Sequence, residues 1–302
     1  MPDYNIDETS LKAKAEWIKE CEKSFIEQFY PITDEICNKR KLKIVRLYGP
    51  TCSGKTTAAN AIITLFENCG KRAHIVSIDD FFYDRDILLE MSRAKGFETV
   101  DYDSPDTIDM KELCGFVKQI FEEDKAVCPT FNFKLGCRDG YKTFNIDDND
   151  IFIFEGIQAC YADVKTVLSE HGAASIFIAP LKSISIGGEI FTPDSIRLMR
   201  RLVRDFKFRG SSPKFTFEIW KNVRENEVKN IFPYADESDY KVNSTMQYEI
   251  GILKPYLDEI LGTIGTGNKY FAEAEAILNS VKNVESIPSE LILDGYLYRE
   301  FV

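Results

Sequence analysis

Histidine is nearly absent: the 302-residue chain carries only His74 and His171. Histidine-based catalysis therefore has few candidates, and acid–base work must fall on other groups. An excess of positive charge is also lacking. Lysine and arginine number 38 against 49 aspartate and glutamate, a net charge of −11. That balance argues against general binding of nucleic acid or an anionic membrane surface, while leaving room for a local basic site. No apolar run approaches the roughly 18 residues a membrane helix needs. The eight cysteines form no C-x-x-C pair, so they read as reduced thiols rather than as a disulfide framework or zinc site. The opening Met1 to Ser10 is acidic and polar and shows no secretory or transit signal, which predicts a cytoplasmic protein. Internal repeats, low-complexity linkers and the guanine-reading N-K-x-D pattern are missing too. What remains, 44% hydrophobic and 29% charged, suits one large globular domain or two smaller ones with ample core.

Against these absences one stretch stands out. The apolar run Ile44, Val45, Leu47 ends in Gly49-Pro50-Thr51-Cys52-Ser53-Gly54-Lys55-Thr56, an unbroken match to G-x-x-x-x-G-K-[ST]. Gly49 and Gly54 let the backbone turn and approach a ligand without a Cβ clash. The loop N–H groups can then form a nest for phosphate oxygens. Lys55 can reach the β- and γ-phosphates and the Thr56 hydroxyl can ligate Mg²⁺. A helix should follow, so that its N-terminal dipole faces the same anion. Ala58, Ala61, Ile62, Leu65 and Phe66 recur at helical spacing from Thr57 to Cys69, with Gly70 as the stop. A glycine turn that binds nothing would not require this strand–loop–helix context.

The remaining elements follow in order. Residues 8–39 predict a helix with Leu11, Ala15, Ile18, Cys21, Phe25 and Phe29 on one face and a break near Pro31. Ala73 to Ile78 predicts a strand ending in Asp79-Asp80-Phe81-Phe82. Strand, helix, strand is a βαβ unit, which places Asp79 and Asp80 on the same rim as the phosphate loop. Two carboxylates there can be a solvated turn; beside a phosphate loop, one reads as a base or a magnesium ligand. Glu98 to Asp109 is an acidic loop, in which Asp106 and Asp109 are good helix caps. A hairpin insertion is predicted from Pro129–Phe133 and Tyr141–Ile146, turning at Arg138-Asp139-Gly140. Ile151 to Phe154 reads as a central strand ending in Glu155, a second magnesium-site acid. From Asp194 to Phe208, Arg197, Arg201 and Arg204 share one helical face. Such a row is either a solvated face or a lid that clamps a transferring phosphoryl group.

In this order, the motifs resemble those of the uridine kinase and phosphoribulokinase family of P-loop kinases, over about residues 42–262. The phosphate loop is similar to its GxSxSGKTT. Ser77 to Phe82 looks like S-x-D-x-F-Y, and Asp103-Ser104-Pro105-Asp106 like D-H-P-D. Phe154 to Ile157 matches F-E-G-I, and Arg197 to Gly210 resembles R-L-x-R-R-x-x-R-D-x-x-x-R-G. Ile231 to Ser244 and the closing Leu297 to Phe301 are similar to a bacterial-type nucleoside kinase branch. The resemblance implies an α/β fold, a five-stranded parallel sheet with helices on both faces, a small β insertion and an arginine-rich helical lid at about 194–212. It implies ATP and Mg²⁺ as cofactors. Asp79, Lys55 and Arg204 would be catalytic. Gly49, Thr51, Cys52, Ser53, Gly54, Lys55, Thr56, Thr57, Arg201 and Arg209 would hold the nucleotide. Asp79, Phe82, Asp103, Phe131, Arg138, Arg201 and Arg204 would hold the acceptor, and Thr56, Glu155 and Asp79 the metal.

Three positions depart from the family pattern. Phe131 stands where a tyrosine is expected, Gly136 where a base-reading histidine is, and Ser211 where a second lid arginine is. Losing a polar contact to a substrate can cost about 10⁴–10⁵ in discrimination. The expected partner is a small-molecule acceptor, nucleoside or sugar, with no nucleic acid or membrane involved and a homo-oligomer possible. The expected divisions are an N-terminal helical segment (1–41), a kinase core (42–262) and a C-terminal helical extension (263–302). Three readings follow: a uridine or cytidine kinase, a kinase of another sugar or sugar phosphate, and a nucleotide-dependent regulatory protein without turnover.

Overall fold

The computed structural model describes residues 11–39, 41–96, 98–100 and 102–302. Two helices, α1 (Leu11–Glu27) and α2 (Tyr30–Asn38), precede the first strand, β1 (Ile44–Tyr48). Then come α3 (Lys55–Asn68), β2 (Arg72–Ser77), α4 (Arg85–Ala94) and α5 (Met110–Glu122). A hairpin of β3 (Lys125–Asn132) and β4 (Cys137–Asn145) leads to β5 (Asp150–Glu155), α6 (Ala162–Ser169) and β6 (Ala173–Ala179). A second small hairpin, β7 (Ile184–Ile186) with β8 (Glu189–Phe191), precedes the long helices α7 (Pro193–Arg209) and α8 (Pro213–Asn230). The short α9 (Phe232–Ala235), β9 (Tyr240–Asn243), α10 (Glu249–Leu261) and α11 (Phe271–Val281) complete the order, followed by a tail to Val302.

The five core strands form one parallel sheet in the order β2-β5-β1-β6-β9. Chain order reverses at β1, which has β5 on one side and β6 on the other, so the loop after β1 opens at the switch point where such sheets bind ligands. β1 is buried throughout, as the apolar run requires of a central parallel strand. Its side chains alternate between two apolar layers. Val45 and Leu47 join a cluster with residues of α1, α3, α7 and α10. Ile44 and Tyr48 join the other, with α5 and α6. Helices thus cover both faces, in agreement with the fold class expected from the sequence.

Several local expectations change. The first helix is two: it breaks at Gln28-Phe29, and α2 restarts with Pro31 in its first turn, where the missing N–H costs nothing. Residues 8–10 of the expected helix, and residue 101 of the acidic loop, lie outside the described residues. The hairpin turns at Phe133 to Gly136, whereas Arg138, Asp139 and Gly140 lie inside β4. Asn132 explains the shift. Its side-chain oxygen accepts the N–H groups of Lys134 and Leu135, an Asx turn, and Gly136 closes the turn at φ +74°. The helices α4, α6 and α8 had no counterpart in the sequence reading. Among the described residues no helix is long and apolar enough to cross a membrane.

The C-terminal residues join the main core: Ile287, Leu297, Tyr298 and Phe301 lie in one cluster with Phe25 of α1 and Ile62 of α3. Glu22 ties these segments together. Its carboxylate accepts the hydroxyl of Tyr248 and the backbone N–H of Leu297. Burial pushes its carboxyl up to about 7 from an ordinary 4.5, against the pull of those two hydrogen bonds. The folded protein therefore holds a proton that the unfolded chain has released. The associated stability is fully present below about pH 4.5 and is lost as pH rises through about 7. Its size is at most roughly 3 kcal/mol. Glu22→Gln is expected to flatten that part of the fall of Tm between about pH 5 and pH 8. Thermal melts across pH check it, and a slope equal to wild type would rule Glu22 out as the group.

Candidate active site

The phosphate loop runs from Gly49 to Gly54 between β1 and α3. Gly49 has no alternative: a Cβ there would overlap the carbonyl oxygen of Ile178 on β6. Gly54 has φ +88°, and Cys52, at φ +58°, is the one non-glycine residue with positive φ among those described. Left-handed residues in such a loop turn successive N–H groups toward one hollow. Lys55 Nζ donates to the carbonyls of Gly49 (3.1 Å) and Pro50 (3.0 Å), folding back over the loop. Ser53 is fully buried and its hydroxyl has no protein partner. A cradle with an orphan hydroxyl and an amino group poised over it suits a phosphate chain.

The loop is gripped from behind. Glu227 of α8, 1% exposed, accepts the Thr51 N–H (3.2 Å). Arg197 of α7 holds Glu227 through two bonds (2.5 and 2.9 Å) and Arg224 through a third (2.6 Å). Arg200, fully buried, donates to the Cys52 carbonyl (3.1 Å). Arg197 and Arg200 are therefore structural partners of the loop. The arginine row is not a solvated face: α7 is docked, and Arg197, Arg201 and Arg204 are all buried. Instead Arg201, Arg204 and Arg209 gather on the carboxylate of Asp205, at 3.1, 2.7 and 3.7 Å. Arg201 also reaches the Thr51 hydroxyl (3.4 Å). Arg209 remains largely exposed at the end of α7.

On the opposite rim, register brings the acids together. Glu155 at the end of β5 pairs with Leu47 of β1 and Ser77 of β2. Asp79 follows two residues later, in the short 3₁₀ turn Ile78–Phe81. Enclosure pushes the Asp79 carboxyl up to about 7; repulsion from Glu155 and then Asp103 adds to this, while Lys55 and the Gln158 amide oppose it. Burial likewise raises Glu155, and Lys55 pulls it down. Among the described residues no three acids, histidines or cysteines form a closed metal cage. Two mutually repelling carboxylates near a phosphate loop nevertheless fit Mg²⁺, which takes one or two protein oxygens and completes its shell with phosphate and water. Thr56, exposed at the start of α3, and Thr57 flank this edge. Asp80 turns away and accepts the Phe131 N–H (3.0 Å), fixing the hairpin to the rim.

The hairpin is attached to this rim. Phe82 makes ring contacts with Tyr102, Phe131 and Phe133. Arg138 donates to the Phe82 carbonyl (3.0 Å) and to Asp109 (2.9 Å), stapling β4 to the turn that carries Asp79. The Asp103 carbonyl accepts the Tyr161 hydroxyl (2.8 Å). At Gly136 a Cβ would stand 2.6 Å from Nε of Arg85, so the Arg85 guanidinium fills the space of any side chain there. The guanidinium donates to the Phe133 carbonyl (2.6 Å) and the Tyr102 hydroxyl (3.3 Å), and the Arg85 backbone N–H donates to the Gly136 carbonyl (2.6 Å).

The fold thus brings Lys55, Asp103 and Glu155 close to Asp79, with Arg201 beside the loop and Phe82, Phe131 and Arg138 together at the hairpin. Glu227, Arg200, Gln158 and Arg85 were not legible beforehand. Glu227 lies on a helix whose periodicity was not read, and a buried glutamate looks like any other surface acid until its arginine is placed.

The phosphoribulokinase / uridine kinase family profile matches residues 44–250. A uridine kinase of Lactobacillus helveticus is 30% identical over 170 residues, 56% of this chain and 70% of that one. Uridine-cytidine kinase B of Dictyostelium discoideum is 28% identical over 169 residues, 56% of this chain and 60% of that one. The solved structure of the YGR205w protein has the same fold at a TM-score of 0.50 and 20% identity, covering 71% of this chain and 87% of that one. With the phosphate loop, the acidic rim and the arginine helix in their places, the chain belongs to the phosphoribulokinase / uridine kinase family, and its chemistry is phosphoryl transfer to a hydroxyl group.

Proposed function

We propose that this protein is an ATP- and Mg²⁺-dependent kinase that phosphorylates a hydroxyl of a small ribose-like acceptor, uridine or cytidine first among them. One observation carries the reading: the Asp79 and Glu155 carboxylates lie close enough to each other and to the Lys55 ammonium, at the end of the phosphate loop, to interact electrostatically. Asp79 accepts the proton of the acceptor hydroxyl, whose oxygen attacks the γ-phosphorus as the bond to the ADP oxygen breaks. Lys55, Arg201 and Arg204 neutralise the phosphoryl oxygens, and Asp103 holds the acceptor's hydroxyls. Thr56 and Glu155, with Asp79 nearby, would hold Mg²⁺, which would supply further charge neutralisation. Positioning and charge account for most of the rate in such a reaction.

A second reading, a kinase of another sugar or a sugar phosphate, is favoured by one feature. The space beside Gly136 holds the Arg85 guanidinium, and an arginine suits an anionic acceptor better than a neutral base.

Asp79→Asn is expected to lower turnover by about 10²–10⁴, the usual range for a general base, with Mg·ATP affinity close to wild type. Wild-type turnover in this variant would remove Asp79 from the role. The same variant should melt no lower than wild type above about pH 7, because a carboxylate raised to about 7 costs stability once ionised. A marked fall in Tm at that pH would contradict the repulsion described here. ADP release from Mg·ATP against nucleosides, sugars and sugar phosphates, with product mass recorded, identifies the acceptor. A phosphorylated uridine or cytidine supports the first reading, and turnover only with an anionic sugar supports the second. No turnover with ATP still bound would mean a regulatory protein.

A further inference from the structure

The tail of the chain lies outside the family-matched residues 44–250, yet it reaches the phosphate loop and the helix behind it at three points: through Arg200 of α7, directly at Gly54, and at Thr57 in the first turn of α3. Arg200 makes the first contact. It is fully buried on α7, and its guanidinium spans four parts of the fold. It donates to the Cys52 carbonyl (3.1 Å), the Ser244 carbonyl after β9 (2.7 Å), the Glu249 carboxylate on α10 (2.7 Å) and the Tyr298 hydroxyl (3.0 Å). The rings of Tyr298 and Phe301 flank it at 5.1 and 5.2 Å. The Tyr298 hydroxyl donates its own hydrogen bond to the Glu249 carboxylate, so it accepts from one partner and donates to the other, fixing the guanidinium plane. The second contact is Leu297, whose Cδ1 lies 2.8 Å from where a Cβ of Gly54 would be. In the third, Glu300 accepts the Thr57 hydroxyl (3.3 Å).

We propose that the C-terminal segment from Tyr296 to Val302 is a positioning element of the nucleotide site, holding the phosphate loop in its anion-binding conformation through Arg200. Cys52 needs such support. Its left-handed backbone is unfavourable for a side-chain-bearing residue and persists only where the surroundings over-determine it. The carbonyl that Arg200 holds belongs to this residue, so the grip acts on the strained peptide itself. The acceptor side is separate: Phe82 and Phe131 belong to the apolar layer on the other face of the sheet. The tail should therefore affect nucleotide binding and leave acceptor binding alone.

The inference rests on the kinase reading, and direct nucleotide binding separates the two. Tyr298→Phe removes one hydroxyl and keeps the ring. Calorimetric titration of the full chain with Mg·ATP should show a Kd raised about threefold to tenfold, the scale of one lost hydrogen bond. The acceptor KM should be unchanged. Arg200→Lys keeps the charge but lacks the fork that reaches four partners, and should raise the nucleotide Kd further. Val281→Ala, in the same apolar cluster on α11, serves as a control that lowers Tm without touching the loop. It should leave the Kd as in wild type. Unchanged nucleotide affinity in Tyr298→Phe overturns the positioning role, as does an equal loss in Val281→Ala, which would make the effect one of general stability. A wild-type chain that binds no nucleotide overturns the kinase reading itself.

Discussion

A loop that turns its N–H groups toward an anion cannot satisfy them internally. It also adopts backbone conformations that a side chain resists, here at Cys52. Lys55 folds back on the Gly49 and Pro50 carbonyls, but the strained peptide at Cys52 is held from outside the loop. Much of this structure is arranged to hold it. Two buried arginines, Arg197 and Arg200, take hold of the loop carbonyls from α7, and Glu227 of α8 takes the Thr51 N–H. Each buried charge is in turn paired: Arg197 with Glu227, Arg200 with Glu249. Pairing is what makes their burial tolerable, since an isolated charge in such surroundings would be strongly destabilising.

This division of labour clarifies the arginine-rich helix. One turn of α7 faces the back of the phosphate loop and is structural; the next, with Arg201 and Arg204, faces Asp205. Three cations around one carboxylate form a cluster with surplus positive charge, which an arriving phosphate can compensate. The same logic, with opposite sign, holds across the cleft. Glu155 and Asp103 each repel Asp79, Lys55 offsets part of that repulsion, and a divalent cation would offset more. The site stores unfavourable electrostatics on both rims, relieved by ligands of the appropriate charge.

The acceptor wall departs most from the family pattern seen in the sequence. Arg138 is engaged with backbone and Asp109, Phe131 is packed among aromatic rings, and Gly136 yields its space to Arg85. The hairpin is attached to the rim by Asp80 and Arg138, so a change in its turn is transmitted to the neighbourhood of Asp79.

Local chemistry determined the phosphate loop, its helix, the acids that end β2 and β5, and the parallel sheet. Glycine spacing, apolar runs and the βαβ order act over a few residues, and a reader of the chain alone can use them. The hairpin turn was misplaced because an Asx turn at Asn132 depends on one side-chain hydrogen bond, which outweighed the turn signal at Asp139-Gly140. Which arginines serve the loop and which serve the cleft, and that the tail returns to the phosphate loop, was decided only by tertiary structure. On a helical wheel Arg197 and Arg201 are equivalent. They differ because Glu227, thirty residues past Arg197, closes on Arg197 from another helix, which leaves Arg201 to Asp205 one turn along its own helix. Tyr298 meets Arg200 across 98 residues, a distance over which no local pattern carries information and only the packed core can bring two groups together.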